Sequence, residues 1–71
     1  MYNTPAMEAR ILAAARKAMP GHKGCRFAAV FDGQWYVIVT EATANGDYTY
    51  TYAVNDATGP GTIDGFVFEE L

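Results

Sequence analysis

With a single cysteine, Cys25, the chain can build no internal disulfide and cannot complete a zinc site from paired cysteines. Packing alone must hold it together. Cationic side chains are absent from Phe27 onward, since Arg10, Arg16, Lys17, Lys23 and Arg26 all come earlier. That absence argues against direct nucleic-acid binding by the later part, because phosphate affinity is supplied by Lys and Arg. Long apolar runs are missing too: Trp35 to Val39 falls far short of the roughly 20 residues that cross a bilayer. The N-terminal stretch from Met1 to Met19 carries Glu8, Arg10, Arg16 and Lys17, so it holds no apolar core of the kind a secretory signal needs. These absences lead to the expectation of a soluble, cytoplasmic protein that binds neither membrane nor nucleic acid directly.

What is present is one domain's worth of chain, 71 residues at 51% hydrophobic and 18% charged, a composition that folds. A domain of this size hides only about 60% of the surface its unfolded chain exposes, which leaves little room to enclose a substrate. The expectation is therefore a non-enzyme. Charge is divided along the sequence. Up to Arg26 the five cations face one acid, Glu8; after it come Asp32, Glu41, Asp47, Asp56, Asp64, Glu69 and Glu70 with no cation at all, for a net charge of -3. If the two parts occupy different faces, the molecule is electrically two-sided, and its negative side suits a positive partner.

Residues 4 to 19 read as one amphipathic helix. Thr4 is a capping residue, Pro5 sits where no amide is required, and Glu8 faces the positive end of the dipole. Met7, Ile11, Ala14, Ala15 and Ala18 form the apolar stripe, Arg16 and Lys17 occupy the last turn, and Pro20-Gly21 stops the helix. The run of alanines makes the helix thin, so it can lie close to a sheet. From Arg26 the period changes to two. Strands are expected over Arg26 to Phe31, Gln34 to Ala44, Asp47 to Val54 and Thr62 to Phe68. Asp32-Gly33 and Asn45-Gly46 read as two-residue hairpin turns, Asn55 to Gly61 as a longer loop, and Gly65 as a bulge. The expected architecture is α+β, with one N-terminal helix packed on a four-stranded antiparallel meander sheet in the order α-β-β-β-β.

One helix covers one sheet face, so the other meets water or a partner. Alternation groups Tyr48, Tyr50, Tyr52 and Val54 on one side of the third strand, and separates Trp35, Val37, Val39 and Glu41 from Tyr36, Ile38, Thr40 and Ala42 on the second. Both sides of that second strand are apolar enough to be buried, which suggests partial cover by a partner or by a second copy. The pattern leaves open which side lies under the helix.

His22 and Cys25 are the one nucleophile-and-base pair available. With a carboxylate such as Asp32 they would make an acyl-transfer set, but no oxyanion hole or walled cleft is indicated. Asn55-Asp56-Ala57-Thr58-Gly59 offers one carboxylate, too few for a calcium loop, and Gly59-Pro60-Gly61 lacks the Lys and the helix start of a phosphate loop. No metal and no cofactor are expected. The tyrosine ladder reads either as cross-strand packing or as interface anchorage, since tyrosine brings large contact area at low entropy cost.

The alanine-rich helix ending in Pro20-Gly21, the aromatic strand Trp35-Tyr36-Val37-Ile38-Val39, the Gly46 hairpin and the string Tyr52-Ala53-Val54-Asn55-Asp56-Ala57-Thr58-Gly59 resemble the PepSY family of small domains, from about Ala6 to Gly59. The resemblance implies a cystatin-like layout and a non-catalytic, peptidase-restraining role. The family is usually exported, and here a further strand follows where its module would finish.

The reading that emerges is a protein-binding inhibitor or regulator that occludes a basic surface of a larger protein. Trp35, Tyr36, Tyr48, Tyr50 and Tyr52 would serve as anchors, and Glu41, Asp47, Asp64, Glu69 and Glu70 would set orientation and association rate. Such a protein suits a phage or mobile-element inhibitor of nucleic-acid machinery, such as an anti-CRISPR, acting in the host cytoplasm. A homodimer through an open sheet edge is compatible with it.

Overall fold

Thr4 and Pro5 start the helix as their chemistry dictates. In the computed structural model, which describes residues 1–71, α1 spans Pro5–Ala18, and the Thr4 hydroxyl accepts the Met7 amide at 3.1 Å. Met19 closes the helix, its amide donating to the Ala15 carbonyl at 3.0 Å, and a short turn at Pro20–His22 leads into the sheet. Four strands follow: β1 (Arg26–Phe31), β2 (Trp35–Thr43), β3 (Gly46–Asp56) and β4 (Phe66–Glu70). They pair antiparallel in chain order, β1-β2-β3-β4, with α1 packed on one face, so the expected α-β-β-β-β fold is the one observed.

The connections differ from expectation in instructive ways. Phe31 pairs with Trp35, so the first hairpin loop has three residues, Asp32 to Gln34, and not the two of Asp32-Gly33. In the second hairpin Thr43 pairs with Gly46, which makes Ala44 and Asn45 the turn. Gly46 opens β3 at φ 115, a positive φ that glycine adopts without steric cost. The Thr43 hydroxyl ties this turn, donating to the Gly46 carbonyl at 2.6 Å and accepting the Asn45 amide at 3.2 Å.

The largest displacement is in β4, which begins at Phe66 and not at Thr62. Gly65 is not a bulge. Ile63 and Phe66 exchange backbone hydrogen bonds at 2.9 and 3.0 Å across Asp64 (φ 53) and Gly65 (φ 89). Positive φ at both central residues is the geometry of a type I′ turn, for which Asp-Gly is a favoured pair. The turn folds Ile63 back onto Phe66 and delays the strand.

Ile11, Ala14 and Ala15 of α1 are fully buried against Trp35, Val37, Val39, Val54 and Phe66. Each large side chain in this set contributes about 1.5–3 kcal/mol by leaving water. The two alanines bring the helix backbone close to the sheet. α1 touches both edge strands as well as β2, so the sheet curls around it. Its flanks are clamped to those edges: the guanidinium of Arg10 lies 5.1 Å from the ring centre of Phe66, and that of Arg16 lies 5.1 Å from the ring centre of Phe27. Lys17 pairs with Asp64 at 2.9 Å.

Candidate functional site

The helix decides which strand faces are hidden. In the observed register Trp35, Val37 and Val39 lie opposite Phe31, Ala29 and Phe27 on one neighbour; Val37, Val39 and Glu41 lie opposite Tyr52, Tyr50 and Tyr48 on the other. Paired residues share a face, so the whole tyrosine ladder is on the helix side. Trp35 is 2% exposed and its indole N–H donates to the Tyr2 carbonyl at 3.1 Å. It is a core residue and cannot anchor a partner. Tyr50 and Tyr52 are half-buried against the core, and Tyr48, at 55%, is the ladder's exposed rung.

A polar cluster caps this end of the core. The His22 ring sits over Tyr50, with ring centres 4.9 Å apart and planes 30° from parallel, and its Nε2 is 3.4 Å from the Tyr52 hydroxyl. The Tyr50 hydroxyl donates to Glu41 at 3.4 Å. The Glu41 charge, then burial, then that hydrogen bond push the Tyr50 phenol above its ordinary value of 10.0; burial, then the Glu70 charge, do the same for Tyr52. Both phenols are therefore protonated at neutral pH. The folded chain holds these protons at pH values where the unfolded chain has begun to release them, so their effect on stability is nil well below pH 10 and unfavourable as pH rises past it. Thermal melts of Tyr50→Phe should show a shallower alkaline decline than the wild type above about pH 10; identical declines would show that the phenol is not coupled to folding.

The acyl-transfer set does not assemble. The Cys25 amide donates to the His22 carbonyl at 2.9 Å, but the His22 ring is engaged by the two tyrosines. Asp32 lies beyond the far end of β1 from Cys25, about 20 Å along the strand.

The face turned away from α1 carries Ala28 and Val30 from β1, Tyr36, Ile38 and Thr40 from β2, Thr49, Thr51 and Ala53 from β3, and Val67 and Glu69 from β4. No element of the chain covers it. Tyr36 and Ile38 sit side by side on its central strand, half-buried, while Val30 and Val67 are 42% and 36% exposed. Of the expected anchors only Tyr36 belongs here. Ile38, Val30 and Val67 were not among the candidates. Their signal was the apolar side of β2 opposite Trp35, which gives no sign of being the open one until the helix is placed.

The acids do not gather beside the tyrosines either. Neighbours in a strand point to opposite faces, so Asp47 and Glu69 lie on the open side while Glu41 and Glu70 lie on the helix side. Asp47 pairs with Arg26 at 3.4 Å and Asp64 with Lys17 at 2.9 Å. The single acidic, tyrosine-bearing surface expected from sequence is thus divided between two faces and partly neutralised. No three His, Cys, Asp or Glu side chains come together as a metal site, and no helix is long and apolar enough to cross a membrane. No family model matches the chain, and no curated protein or solved structure matches it.

Proposed function

We propose that the chain is a non-enzymatic protein-binding domain that inhibits or regulates a larger protein by laying the uncovered face of its sheet on it. One observation carries the reading: an entire sheet face, centred on Tyr36 and Ile38, is apolar and threonine-rich and has no cover from its own chain. Apolar surface that is contiguous and rimmed by polar groups is the usual mark of an interaction site. Tyr36 supplies the aromatic anchor and Ile38, Val30 and Val67 the surrounding contact, with Glu69 at the rim.

The partner's matching surface is basic. Four of the five cations are occupied inside the molecule, Arg10 and Arg16 over phenylalanine rings and Lys17 and Arg26 in ion pairs, whereas Glu69 on the open face and Asp32 at the end of β1 have no cationic partner. Basic surfaces are typical of nucleic-acid-binding proteins, and occluding one would inhibit such a partner without contacting nucleic acid. The test is affinity capture from the source cell with wild type and Ile38→Asp side by side. A specific partner should be retained by the wild type, lost by Ile38→Asp, and weakened between about 0.05 and about 0.5 M salt. Retention by Ile38→Asp would remove the open face as the binding surface.

A further inference from the structure

The edges of the sheet are unequal. β4 ends in Glu69-Glu70, the charged ending that discourages a further strand, whereas β1 runs from Phe27 to Phe31 without charge or proline. Val30 and Phe31 at this edge are 42% and 38% exposed.

Which backbone groups β1 leaves free follows from the ladder. The Asp32 amide donates to the Gln34 carbonyl at 2.9 Å, and bonded and non-bonded pairs alternate in an antiparallel ladder. Arg26, Ala28 and Val30 therefore bond to β2, while Phe27, Ala29 and Phe31 turn their N–H and C=O groups outward. The side chains of those three residues all lie on the helix side.

We propose that β1 is a self-association edge, on which two copies pair β1 to β1 antiparallel about a two-fold axis at Ala29. The register is fixed by two independent requirements. Strands joined about an axis normal to the sheet must match helix-side residues with helix-side residues, and the outward groups must all find partners. Setting Ala29 against Ala29 of the second copy and Phe27 against its Phe31 meets both, because every outward-facing residue then exchanges hydrogen bonds.

The same register is the one that charge favours. It places Arg26 opposite Asp32 of the second copy, at both ends of the seam. A groove of about 470 Å³ runs beside the Arg26 end of β1, lined by Arg16 and Arg26 together with Phe27, Ala28 and Ile38. Asp32, exposed at the opposite end of β1, has no cationic partner in its own chain. Arg26 stays 77% exposed although it touches Asp47 at 3.4 Å, so each copy still presents a guanidinium where the other delivers a carboxylate. The small side chains of Ala28 and Ala29 leave the middle of the seam unobstructed. This two-fold contact closes on itself, so assembly stops at two copies and the four-stranded sheet becomes a continuous sheet of twice that width.

Sedimentation equilibrium between about 1 µM and about 1 mM should show the mass rising from 7.7 kDa to twice that value and no further. Ala29→Pro removes only an outward amide, so it should keep the far-UV spectrum of the wild type and remain at 7.7 kDa. Asp32→Lys, an exposed loop substitution with no demand on the core, should weaken the dimer by about tenfold or more. A wild type that stays monomeric, a mass that keeps growing, or a folded Ala29→Pro that still dimerises would each overturn the proposal. A dimer indifferent to Asp32→Lys would overturn the register. Val67→Asp, on the open face of the opposite edge strand β4 and away from the β1 seam, should weaken partner capture yet dimerise normally, so loss of partner capture and loss of self-association are read separately.

Discussion

Trp35→Ala should leave the chain unfolded or nearly so at 37 °C. Trp35 is 2% exposed, stacks edge-on with Phe31 at 5.4 Å, and donates its indole N–H to the Tyr2 carbonyl. Truncating a buried aromatic costs about 3–5 kcal/mol through lost burial and the cavity left behind. A domain of this size has about 4–10 kcal/mol in total, taking roughly 0.05–0.15 kcal/mol per residue. The loss is therefore comparable to the whole stability. Urea titration followed by far-UV circular dichroism should show either no folded baseline or a midpoint lowered by more than half; a midpoint close to wild type would mean that Trp35 is not the keystone of the core.

The second large effect distinguishes neighbouring residues. Val37 is fully buried beneath α1 and Ile38, one position along, faces away from it. Val37→Asp puts a carboxylate where no cation or donor awaits it, a cost of several kcal/mol that should abolish folding. Ile38→Asp places the same group at a half-buried site open to water and should keep a cooperative melt while losing the partner. If both variants fold, or both fail, the assignment of the two faces is wrong. Amide dispersion in a proton–nitrogen NMR spectrum separates these outcomes without knowledge of the partner.

The local part of the fold could be read directly from sequence. Thr4-Pro5 and Pro20-Gly21 bracket α1, and β1 occupies the expected Arg26–Phe31, because capping and strand alternation act over a few residues. β4 starts later than strand alternation implies because Asp64-Gly65 forms a turn; the Asp-Gly pair is itself a local turn signal, but it sits inside a run of β-formers that alternation alone reads as one strand with a bulge. The candidate site was harder for a different reason. Both sides of β2 are apolar, so alternation sorts residues into two groups without saying which one the helix covers. That choice depends on α1 reaching Trp35 and Phe66 across the chain, a contact that only the folded molecule displays. Once it is made, Trp35 and the tyrosine ladder pass to the interior side and Tyr36 and Ile38 to the exterior.

The succession of strands also bears on how the molecule assembles. Every strand pairs with the one synthesised just before it, so the sheet can zip up through successive hairpins without first closing a long loop. Folding rates fall as paired segments lie farther apart in sequence, which places this layout among the faster of the strand-rich topologies. The most distant closure among these side-chain contacts is at the seat of α1 on Phe66, where Lys17 and Asp64 pair across 47 positions of sequence.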